Sequence, residues 1–532
     1  MTPLPAVSSL SRRRLSVLTL LAILAVAVVA GLIASRGTSA HDRDGARDRP
    51  GATSARATAG TAVPLTVDTS SAGRAIAPGF LGLSIEIPAV VSYAGTNPRA
   101  INPVFEQLIR NLTPGQTPNL RLGGDTTDWT WVSVPGLAKP GGIRYTVGKT
   151  WLGVTAALTH ALDANLILGL NLEMDSATEA RAEAQTMLQG IGQSSIEALE
   201  LGNEPELYGS FTWYTTPSGQ HVRGRASGYD FTSYLPDFAR VARSLPTGVP
   251  LAGPATGAPK WIPELGRFLP AEPLVKVATL HRYPLQLCYM PAASPQYPSV
   301  AHMLDPSASR GLADSVARQA AVAHARHVAL RIDEMNSVSC GGAPGISNAF
   351  VSALWALDAT FQMARVGVDG VNFHTFPKAT YELFNFTHRH GEWSGYVAPE
   401  YYGLLMFAQA APAGSHLLHT SGSLGKVRSW ATRAPDGTIH VVLINDYTAQ
   451  SRTIAVRIAG ATAAATLERL RAPGIQARTG VTLGGQSFGT HTTTGALTGR
   501  SANVTVKPVN GAYVIQVPKA SAAMLTLPAS TR

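Results

Sequence analysis

The sequence contains few cysteines, only two among 532 residues, and this scarcity limits the chemistry available to it. No Cys/His spacing resembles a zinc site and no Cys-x-x-Cys pattern indicates redox work, so we expect neither a metal nor a cofactor. Cys288 and Cys340 form an even pair, which in an oxidising compartment favours a disulfide. Two free thiols are the alternative that the sequence leaves open.

Charged residues are also few, at 14%, whereas hydrophobic residues make up 45% and glycine and proline number 51 and 36. This composition suits a folded, loop-rich globular protein and is unlike that of disordered or fibrous chains. The formal net charge is +10, but residues 1–62 hold eight arginines against three aspartates and so supply half of it. Because the rest of the chain has no basic stripe interleaved with aromatic residues, we expect no nucleic-acid partner.

The N-terminal region has the pattern of an export segment. Three arginines, Arg12–Arg14, precede the largely apolar run Leu15–Ala34, and small residues follow it. This run is long enough to span a bilayer, so residues 1–40 are either a cleaved signal peptide or an anchor in contact with the membrane. Residues 41–62 lack apolar periodicity, which predicts a disordered linker. We therefore expect the folded part to lie outside the cytoplasm, secreted or anchored by residues 15–34.

Short apolar runs alternate with amphipathic stretches from Val63 onward, which is the pattern of a parallel sheet covered by helices. The intervals leave room for a crossover helix after each run, and Phe350–Ala364 is the clearest of these helices. We therefore predict an α/β fold, a (β/α)8 TIM barrel over residues 63–410. The eight expected strands are Phe80–Ile85, Asn119–Leu122, Asn165–Asn171, Ile196–Gly202, Pro250–Gly253, Val277–His281, Val328–Asp333 and Gly370–His374.

The character of the sequence changes after residue 410. β-type runs between turn signals such as Pro435-Asp436-Gly437 predict an antiparallel β-sandwich domain over residues 411–532. The short strand Val63–Val67, within residues 63–70, precedes the barrel and is a candidate member of this sandwich. The other expected strands are Lys426–Thr432, Ile439–Asn445, Thr453–Ile458 and Tyr513–Val517.

Two glutamates occupy strand ends of the kind at which a TIM barrel carries its reactive groups. Glu204 follows the fourth expected strand, between Asn203 and Pro205, and Glu334 follows the seventh. Glycoside hydrolysis needs one carboxyl group to protonate the leaving oxygen and a second to attack the sugar or activate water. We expect Glu204 to be the general acid/base, because Asn203 can bind a substrate hydroxyl and a neighbouring carboxylate disfavours ionisation of Glu204. Glu334 then stays charged as the nucleophile.

The Asn-Glu-Pro turn at residues 203–205, together with the glutamate after the seventh strand, resembles clan A retaining glycosidases. Four segments resemble more narrowly glycoside hydrolase family 79, the β-glucuronidase and heparanase family, and they follow family order across most of residues 75–410. The resemblance implies a barrel with a trailing β-sandwich and a retaining β-glycosidase without a cofactor. The segments are RLGGDTTD at 121–128, the Asn-Glu-Pro turn, LHRYP at 280–284 and EMNSVSCGGAP at 334–344.

The same resemblance implies that seven further residues contact the substrate. Those after the first strands would bind sugar hydroxyls, those after the sixth strand would shape the site beside the nucleophile, and one after the eighth would face the sugar. The glycine loop after the seventh strand would offer backbone N–H groups to a substrate carboxylate. Each residue also has a structural alternative, such as helix capping, core packing or a plain turn. The seven residues are Glu86, Asp125, Asn203, His281, Tyr283, Gly341 and Tyr381.

Strand alternation gives expectations for several neighbouring residues. Arg121 and Glu200 lie inside the second and fourth strands, and we expect them to pair within the barrel and support the site. Asp333 has the opposite parity from Glu334, which indicates a structural role. His374 ends the eighth strand, with contact to the site and burial in the core as equal alternatives.

We predict a retaining β-D-glucuronidase that acts on a carbohydrate substrate through a covalent glycosyl-enzyme intermediate, with its carboxyl groups about 5 to 5.5 Å apart. One departure leaves the sugar open. Heparanase-like members carry a tyrosine five residues after the nucleophile, where this chain has Ser339. A neutral β-glucoside, or a disaccharide released as a unit, is the alternative within the family. A noncatalytic surface glycan-binding protein and an anchored cell-wall protein are the alternatives from other classes.

Overall fold

The computed structural model describes residues 62–529. Eight parallel strands close into a barrel in which neighbours follow chain order and the eighth strand pairs with the first. The predicted TIM barrel is confirmed, and each strand end lies within three residues of its expected position. The strands are Leu81–Glu86, Asn119–Gly123, Asn165–Leu170, Ile196–Leu201, Leu251–Thr256, Val275–Arg282, Ala329–Met335 and Gly370–Thr375.

A helical segment follows every barrel strand, as the (β/α)8 repeat requires. The helix Pro103–Leu112 shows why such segments start where they do, because the Asn102 side chain accepts hydrogen bonds from Val104 N and Phe105 N and proline occupies the first turn. The α-helices are Ala89–Ala94, Pro103–Leu112, Lys149–Leu162, Ala177–Ile191, Phe231–Ala242, Leu265–Ala271, Val300–Met303, Leu312–Asp314, Ala317–His324, Phe350–Arg365 and Pro399–Ala410. Single turns of other helix types are Asp125–Trp129, Gln193–Ser195, Pro205–Leu207, Ile262–Glu264 and Ser307–Gly311.

The helix Phe350–Arg365 is apolar on nearly every side, and fourteen of its residues are buried. A helix with this pattern must be covered all round. The C-terminal sheet supplies part of the cover, since the Trp430 ring stacks on Phe361 with centroids 5.3 Å apart and Trp430 Nε1 donates to Asp358 at 2.8 Å. This helix therefore joins the barrel to the β domain.

The C-terminal domain is one ten-stranded, mostly antiparallel sheet. Val63–Ala75 belongs to it, antiparallel to His416–Ser421 and parallel to Arg452–Ile458. Leu467 and Tyr513 stand near opposite ends of the strand order yet share one buried cluster, so the sheet curls over its own core as a sandwich does. The remaining strands are Val427–Arg433, Ile439–Asn445, Ala465–Arg471, Thr482–Leu483, Val504–Val506, Tyr513–Val517 and Ser521–Leu527.

Short paired strands lie outside these two sheets, and the N-terminal predictions lie outside the described residues. The pairs are Thr130–Trp131 with Tyr145–Thr146, Tyr214–Thr215 with His221–Val222, and Phe384–Arg389 with Glu392–Val397. The export segment at 1–40 and all but the last residue of the linker at 41–62 precede the described range. Within residues 62–529, no helix has both the length and the apolar character needed to cross a bilayer.

The seventh barrel strand carries a β-bulge next to its C-terminal end. Arg331 pairs with Thr279 and Glu334 pairs with His281. The seventh strand therefore advances three residues where the sixth advances two, so it contains one extra residue. A bulge turns two successive side chains toward the same face. Asp333 therefore points into the barrel, where it is fully buried, instead of away from Glu334 as simple alternation indicated.

Candidate active site

Glu204 and Glu334 face each other at the C-terminal end of the barrel. Glu334 is the second-last residue of the seventh strand, and Glu204 lies three residues beyond the fourth. One carboxylate oxygen of each lies within 4.8 Å of the other and of a ring nitrogen of His281. This spacing fits retaining glycosidases, whose carboxyl groups are about 5 to 5.5 Å apart, and is shorter than the about 6.5 to 9.5 Å of inverting ones.

A sharp backbone turn aims the Glu204 carboxylate into the site. The residue has a φ of 45°, in the left-handed region that non-glycine residues seldom adopt. Its N–H donates to Ala255 O at 2.9 Å, and His281 Nδ1 lies 3.2 Å from Glu204 Oε1. A Cβ at position 257 would stand 3.0 Å from that oxygen, so Gly257 leaves room for the carboxylate.

Both oxygens of Glu334 are bound by the protein. Oε2 accepts from Arg121 Nη1 at 2.6 Å and Oε1 accepts from the Tyr283 hydroxyl at 2.9 Å. Burial alone would raise the pKa of Glu334, but surrounding positive charges, first those of His374 and His281, lower it below the usual range. Glu334 is therefore ionised throughout the physiological pH range, as a nucleophile must be.

Two histidines contribute positive charge next to Glu334. Burial would lower the pKa of His281, but neighbouring carboxyl groups, first of all the charge of Glu334, raise it to about 10. Burial would also lower the pKa of His374, and Glu334 and Glu86 raise it instead. His374 Nδ1 lies 3.9 Å from Glu334 Oε2, and its Nε2 lies 3.3 Å from Glu86 Oε1. Of the two alternatives for His374, the structure therefore shows contact with the site.

Arg121 connects Glu334 to the turn that carries Glu204. The side chain is fully buried and binds three residues of the site through three different nitrogens. Nε donates to Glu200 at 2.8 Å, Nη1 to Glu334 at 2.6 Å and Nη2 to Asn203 Oδ1 at 2.9 Å. The expected Arg121–Glu200 pair is thus present, and the same guanidinium also fixes the two residues on either side of the reacting centre.

Glu200 and Asp333 form a buried pair of carboxyl groups below this centre. Arg121 Nε lies 3.5 Å from Asp333 Oδ2, and His281 Nε2 lies 3.7 Å from Oδ1. Burial and then the charge of Glu200 raise the pKa of Asp333, whereas Arg121 outweighs burial and lowers the pKa of Glu200. Two carboxyl groups can share a hydrogen bond only when one is protonated. The opposite pKa shifts favour a neutral Asp333 beside an ionised Glu200.

Glu86 holds the loop after the second strand against the barrel. Its Oε2 accepts from the backbone N–H of Thr126 at 2.9 Å and also from the Thr126 hydroxyl. Gly124 has a φ of 92°, and a Cβ there would stand 2.6 Å from Glu86 Oε1. The close approach of this glycine brings the next residue, Asp125, into the cleft beside Asn203.

Asp125 is a carboxyl group that remains open to solvent in the cleft. Asn203 Nδ2 donates to its Oδ1 at 3.4 Å. The surrounding protein, followed by the charges of Glu86 and Glu204, raises the pKa of Asp125 to about 8. The raised pKa favours the neutral form of Asp125, which can donate a hydrogen bond to a ligand such as a sugar hydroxyl.

Replacing Asp125 by Asn tests whether the neutral form is the active one. As pH rises through about 8, wild-type Asp125 ionises, loses its donor and adds a negative charge beside Glu204 and Glu334. We expect wild-type kcat/KM to fall about tenfold per pH unit above that point, and the Asn variant, which cannot ionise, to lose this decline. A pH profile of kcat/KM for both proteins measures the difference, and an unchanged basic limb in the variant would assign it to another group.

Tyr283 and Tyr381 form an aromatic wall next to Glu334. Their ring centroids are 6.2 Å apart, and Tyr381 also lies 6.0 Å from the His374 ring. Tyr381 is buried, so its ring supports Tyr283 and His374 while its edge borders the site. The structure therefore brings together the residues expected after the sixth and eighth strands.

The loop after Glu334 is tied to the loop after the sixth strand. Cys288 and Cys340 form a disulfide with Cα atoms 6.3 Å apart, so the structure contains the pairing expected over two free thiols. Ser339 Oγ donates to Gln286 Oε1 at 2.7 Å. The Ser339 hydroxyl therefore forms a hydrogen bond to the neighbouring loop. It is not a functional substitute for the tyrosine that heparanase-like members carry at this position.

The glycine pair after Cys340 packs against the loop that follows the eighth strand. Gly341 O accepts from Thr380 N at 2.6 Å, and a Cβ on Gly342 would stand 2.9 Å from Tyr381 N. Both glycines have positive φ, 80° and 91°. Within residues 62–529 the Gly341 N–H has no hydrogen-bond acceptor. This N–H is available to a ligand, as the expected carboxylate contact requires.

Asp128 is a positioning residue that the sequence analysis did not assign. Its Oδ1 accepts from Leu172 N and Glu173 N, and its Oδ2 accepts from Asn203 N at 2.9 Å and from the Tyr208 hydroxyl at 2.7 Å. Asp128 thereby joins the loops after the second, third and fourth strands and fixes Asn203. The sequence feature that could have identified Asp128 is its position at the end of the segment 121–128, which resembles the family.

Glu204, His281 and Glu334 also have the spacing of a three-ligand cation site. Two features oppose a cation there. The Arg121 guanidinium already occupies Glu334 Oε2, and the raised pKa of His281 keeps its ring protonated, without a free lone pair. The charges of this cluster suit proton transfer and nucleophilic attack better than metal binding.

Comparison with known proteins gives a domain match and two curated relatives. The family model described as the glycosyl hydrolase family 79 C-terminal beta domain matches residues 429–524. A β-glucuronidase of Neurospora crassa is 25% identical over 406 residues, which cover 69% of this chain and 70% of that protein. A β-glucuronidase of Aspergillus niger is 24% identical over 508 residues, covering 84% of this chain and 90% of that protein.

Solved structures show the same fold at lower sequence identity. A 4-O-α-L-rhamnosyl-β-D-glucuronidase from Fusarium oxysporum superimposes with a TM-score of 0.64 at 20% identity, over 88% of this chain and all of the other. A family 51 arabinofuranosidase from Xanthomonas axonopodis pv. citri gives a TM-score of 0.63 at 16% identity, with the same coverage. The domain match over residues 429–524 and the two curated relatives show that the chain is similar to glycoside hydrolase family 79, and the solved structures show that it shares their fold.

Proposed function

We propose that this protein is a retaining β-D-glucuronidase with Glu204 as general acid/base and Glu334 as nucleophile. The observation that carries the proposal is the pair of glutamates, whose carboxylate oxygens lie within 4.8 Å of each other. Both curated relatives are β-glucuronidases, which supports glucuronides as the substrate class. Together the spacing and the relatives favour hydrolysis of β-glucuronides with retention of configuration.

The reaction proceeds in two displacements. Glu334 attacks the anomeric carbon while Glu204 gives its proton to the leaving oxygen, which forms a glycosyl ester and releases the alcohol. Water then attacks the same carbon, Glu204 takes one of its protons, and the ester bond to Glu334 breaks. Arg121 and Tyr283, which bind the two Glu334 oxygens, stabilise the carboxylate that returns in this step.

The loop after Glu334 is the proposed receptor for the carboxylate of the sugar. The free N–H of Gly341 supports this assignment, because its glycine backbone permits close approach of an anion. The Tyr283 and Tyr381 side chains border the same region. The engagement of Ser339 with Gln286 leaves the backbone as the donor in this loop.

A panel of aryl β-glycosides tests the sugar. We expect kcat/KM for the β-glucuronide to exceed that for the β-glucoside and β-galactoside by about 10² or more, because loss of a charged hydrogen-bonding group leaves buried donors unpaired. Hydrolysis rates of the three substrates at equal leaving group measure this ratio. Preference for the neutral glucoside would overturn the uronate assignment and support the alternative of a β-glucosidase or diglycosidase of the same family.

A mechanism-based probe separates an enzyme from a noncatalytic glycan-binding protein. A cyclophellitol-type epoxide of glucuronic configuration should form one ester bond, at Glu334, which peptide mass spectrometry can locate. Absence of labelling, together with binding of intact glycans, would favour the noncatalytic alternative. We also propose that the enzyme works outside the cytoplasm, as the N-terminal sequence pattern supports. Its proposed domains are a barrel over 63–410, apart from the strand Val63–Ala75, and a β domain over 411–532 that this strand joins.

A further inference from the structure

Two aromatic side chains outside the sugar site are exposed together. Phe211 is 46% exposed and Tyr289 54%, and their ring centroids lie 6.0 Å apart at an interplanar angle of 77°. Six large apolar side chains are exposed in the described part of the chain, and these are the two that are aromatic. Single exposed apolar residues are ordinary, whereas a touching pair of rings in water often marks a binding surface.

Phe211 stands on the loop that carries Glu204, and Tyr289 stands on the loop after the sixth strand, which a disulfide ties to the loop after Glu334. Phe211 follows Glu204 by seven residues, and its N–H donates to Leu207 O at 2.9 Å in the turn after the acid/base. Tyr289 is adjacent to Cys288, whose disulfide partner Cys340 lies six residues beyond Glu334. Both rings therefore belong to the C-terminal face of the barrel, where substrates bind.

The loop that carries Tyr289 is tied to the loop after Glu334 by several contacts. Besides the disulfide, Ser339 N donates to Leu285 O at 3.0 Å, and Leu285 forms a bridge with Val338. Partial burial and then the charges of Glu204 and Asp125 raise the pKa of the Tyr289 hydroxyl. The backbone next to Tyr289 is thus tied to the loop after Glu334, and its hydroxyl lies within electrostatic reach of Glu204.

The position of Glu204 indicates which part of the substrate these rings meet. A general acid must lie beside the oxygen that leaves with the aglycone, whereas the sugar lies toward the nucleophile. Phe211 extends from the acid's own loop, and the site's other aromatic pair, Tyr283 and Tyr381, lies on the side of Glu334. A group bound between Phe211 and Tyr289 is therefore on the leaving-group side.

We propose that Phe211 and Tyr289 form a stacking platform for an aromatic ring in the leaving group of the substrate. Rings that meet edge to face make a right-angled corner, in which a third ring stacks on one face and meets the other by its edge. The platform thus selects aryl glucuronides over those with small or aliphatic leaving groups. This inference rests on the proposed glycosidase activity and adds the class of aglycone.

The test compares substrates that share the sugar and differ in the leaving group. An aryl β-glucuronide has a ring for the platform, whereas β-glucuronyl fluoride has none. Since kcat/KM reports the steps up to departure of the leaving group, it contains the contacts with the platform. We expect Phe211→Ala and Tyr289→Ala each to lower kcat/KM for the aryl substrate about fivefold to tenfold and for the fluoride less than twofold.

Two further variants serve as controls. Tyr289→Phe keeps the ring and should retain wild-type kcat/KM for the aryl substrate, which separates stacking from the hydroxyl. Leu274→Ala removes an apolar side chain of similar exposure, 56%, which precedes the sixth strand at the opposite end of the barrel. This variant should leave kcat/KM unchanged for both substrates. Thermal unfolding of each variant shows whether the fold is retained.

The outcomes distinguish the platform from the activity on which it rests. Failure of the wild type to hydrolyse glucuronyl fluoride would count against the proposed function itself. If the wild type hydrolyses both substrates, the alanine variants decide on the platform. An equal fall in kcat/KM for both substrates would overturn it, and so would an unchanged kcat/KM for both. A loss confined to the aryl substrate supports it.

Discussion

Replacing Glu334 by Gln should reduce kcat by about 10⁴- to 10⁶-fold, the scale seen when an enzyme loses its nucleophile. The amide keeps the size of the side chain but cannot form the glycosyl ester. It also removes the negative charge that Arg121 and the two histidines, His281 and His374, surround. Steady-state hydrolysis of an aryl β-glucuronide measures the loss, and the cyclophellitol-type probe should no longer label residue 334.

Asp333→Asn is a matched control for this variant, because it makes the same chemical change one residue earlier in the same bulged strand. Burial and the charge of Glu200 raise the pKa of Asp333, which favours its neutral form, and an amide resembles that form. We expect turnover within about tenfold of the wild type, since each misplacement of a supporting hydrogen bond costs about 1 kcal/mol. A Glu334→Gln protein that hydrolyses substrate at a rate near that of Asp333→Asn would refute the nucleophile assignment.

The different surroundings of the two glutamates explain why the roles are not interchangeable. Glu334 is buried, and Arg121, His281 and His374 stabilise its charge. Glu204 is more accessible and has His281 as its side-chain hydrogen-bond partner. A carboxylate held ionised suits attack on carbon, and one without a guanidinium partner suits giving up and regaining a proton. The surroundings of Glu334 support the nucleophile proposed for it, and the acid/base role of Glu204 stays a prediction.

Much of the fold and the central pair of residues were predictable from sequence. Parallel strands buried on both sides read as short apolar runs, and the length between them admits one helix each, so all eight strands could be located. The strand-end rule then pointed to Glu204 and Glu334, and alternation placed Arg121 and Glu200 together. These features depend on local periodicity and on a general property of barrels.

The remaining features depend on three-dimensional detail that periodicity does not contain. The bulge in the seventh strand turns Asp333 inward and so reverses the direction that alternation assigns to it. Asp128 acts through hydrogen bonds to two other loops, and no sequence spacing predicts those distances. Phe211 and Tyr289 are 78 residues apart and meet only because the fourth and sixth loops converge above the barrel.

Replacing Glu204 by Gln should give a loss that depends on the leaving group. Without a proton donor, an alkyl β-glucuronide such as the methyl glycoside should lose about 10²- to 10⁴-fold in kcat/KM, the usual contribution of general acid catalysis. A dinitrophenyl β-glucuronide, whose leaving group needs no proton, should lose far less. Plotting kcat/KM against the leaving-group pKa measures this, and the slope should be steeper for the variant than for the wild type.

The same variant also lacks the base for the second displacement, so the glycosyl ester on Glu334 should accumulate with the dinitrophenyl substrate. Azide, which needs no base, should restore turnover and yield a β-configured glycosyl azide. Glu206→Gln is the matched control, since Glu206 lies in the same turn and binds Gly257 N and Ala258 N through an oxygen that the amide retains. The acid/base assignment would be wrong if kcat/KM of Glu204→Gln fell by the same factor for all leaving groups and azide had no effect. Glu204 would then only position the substrate, and the acid would be another residue.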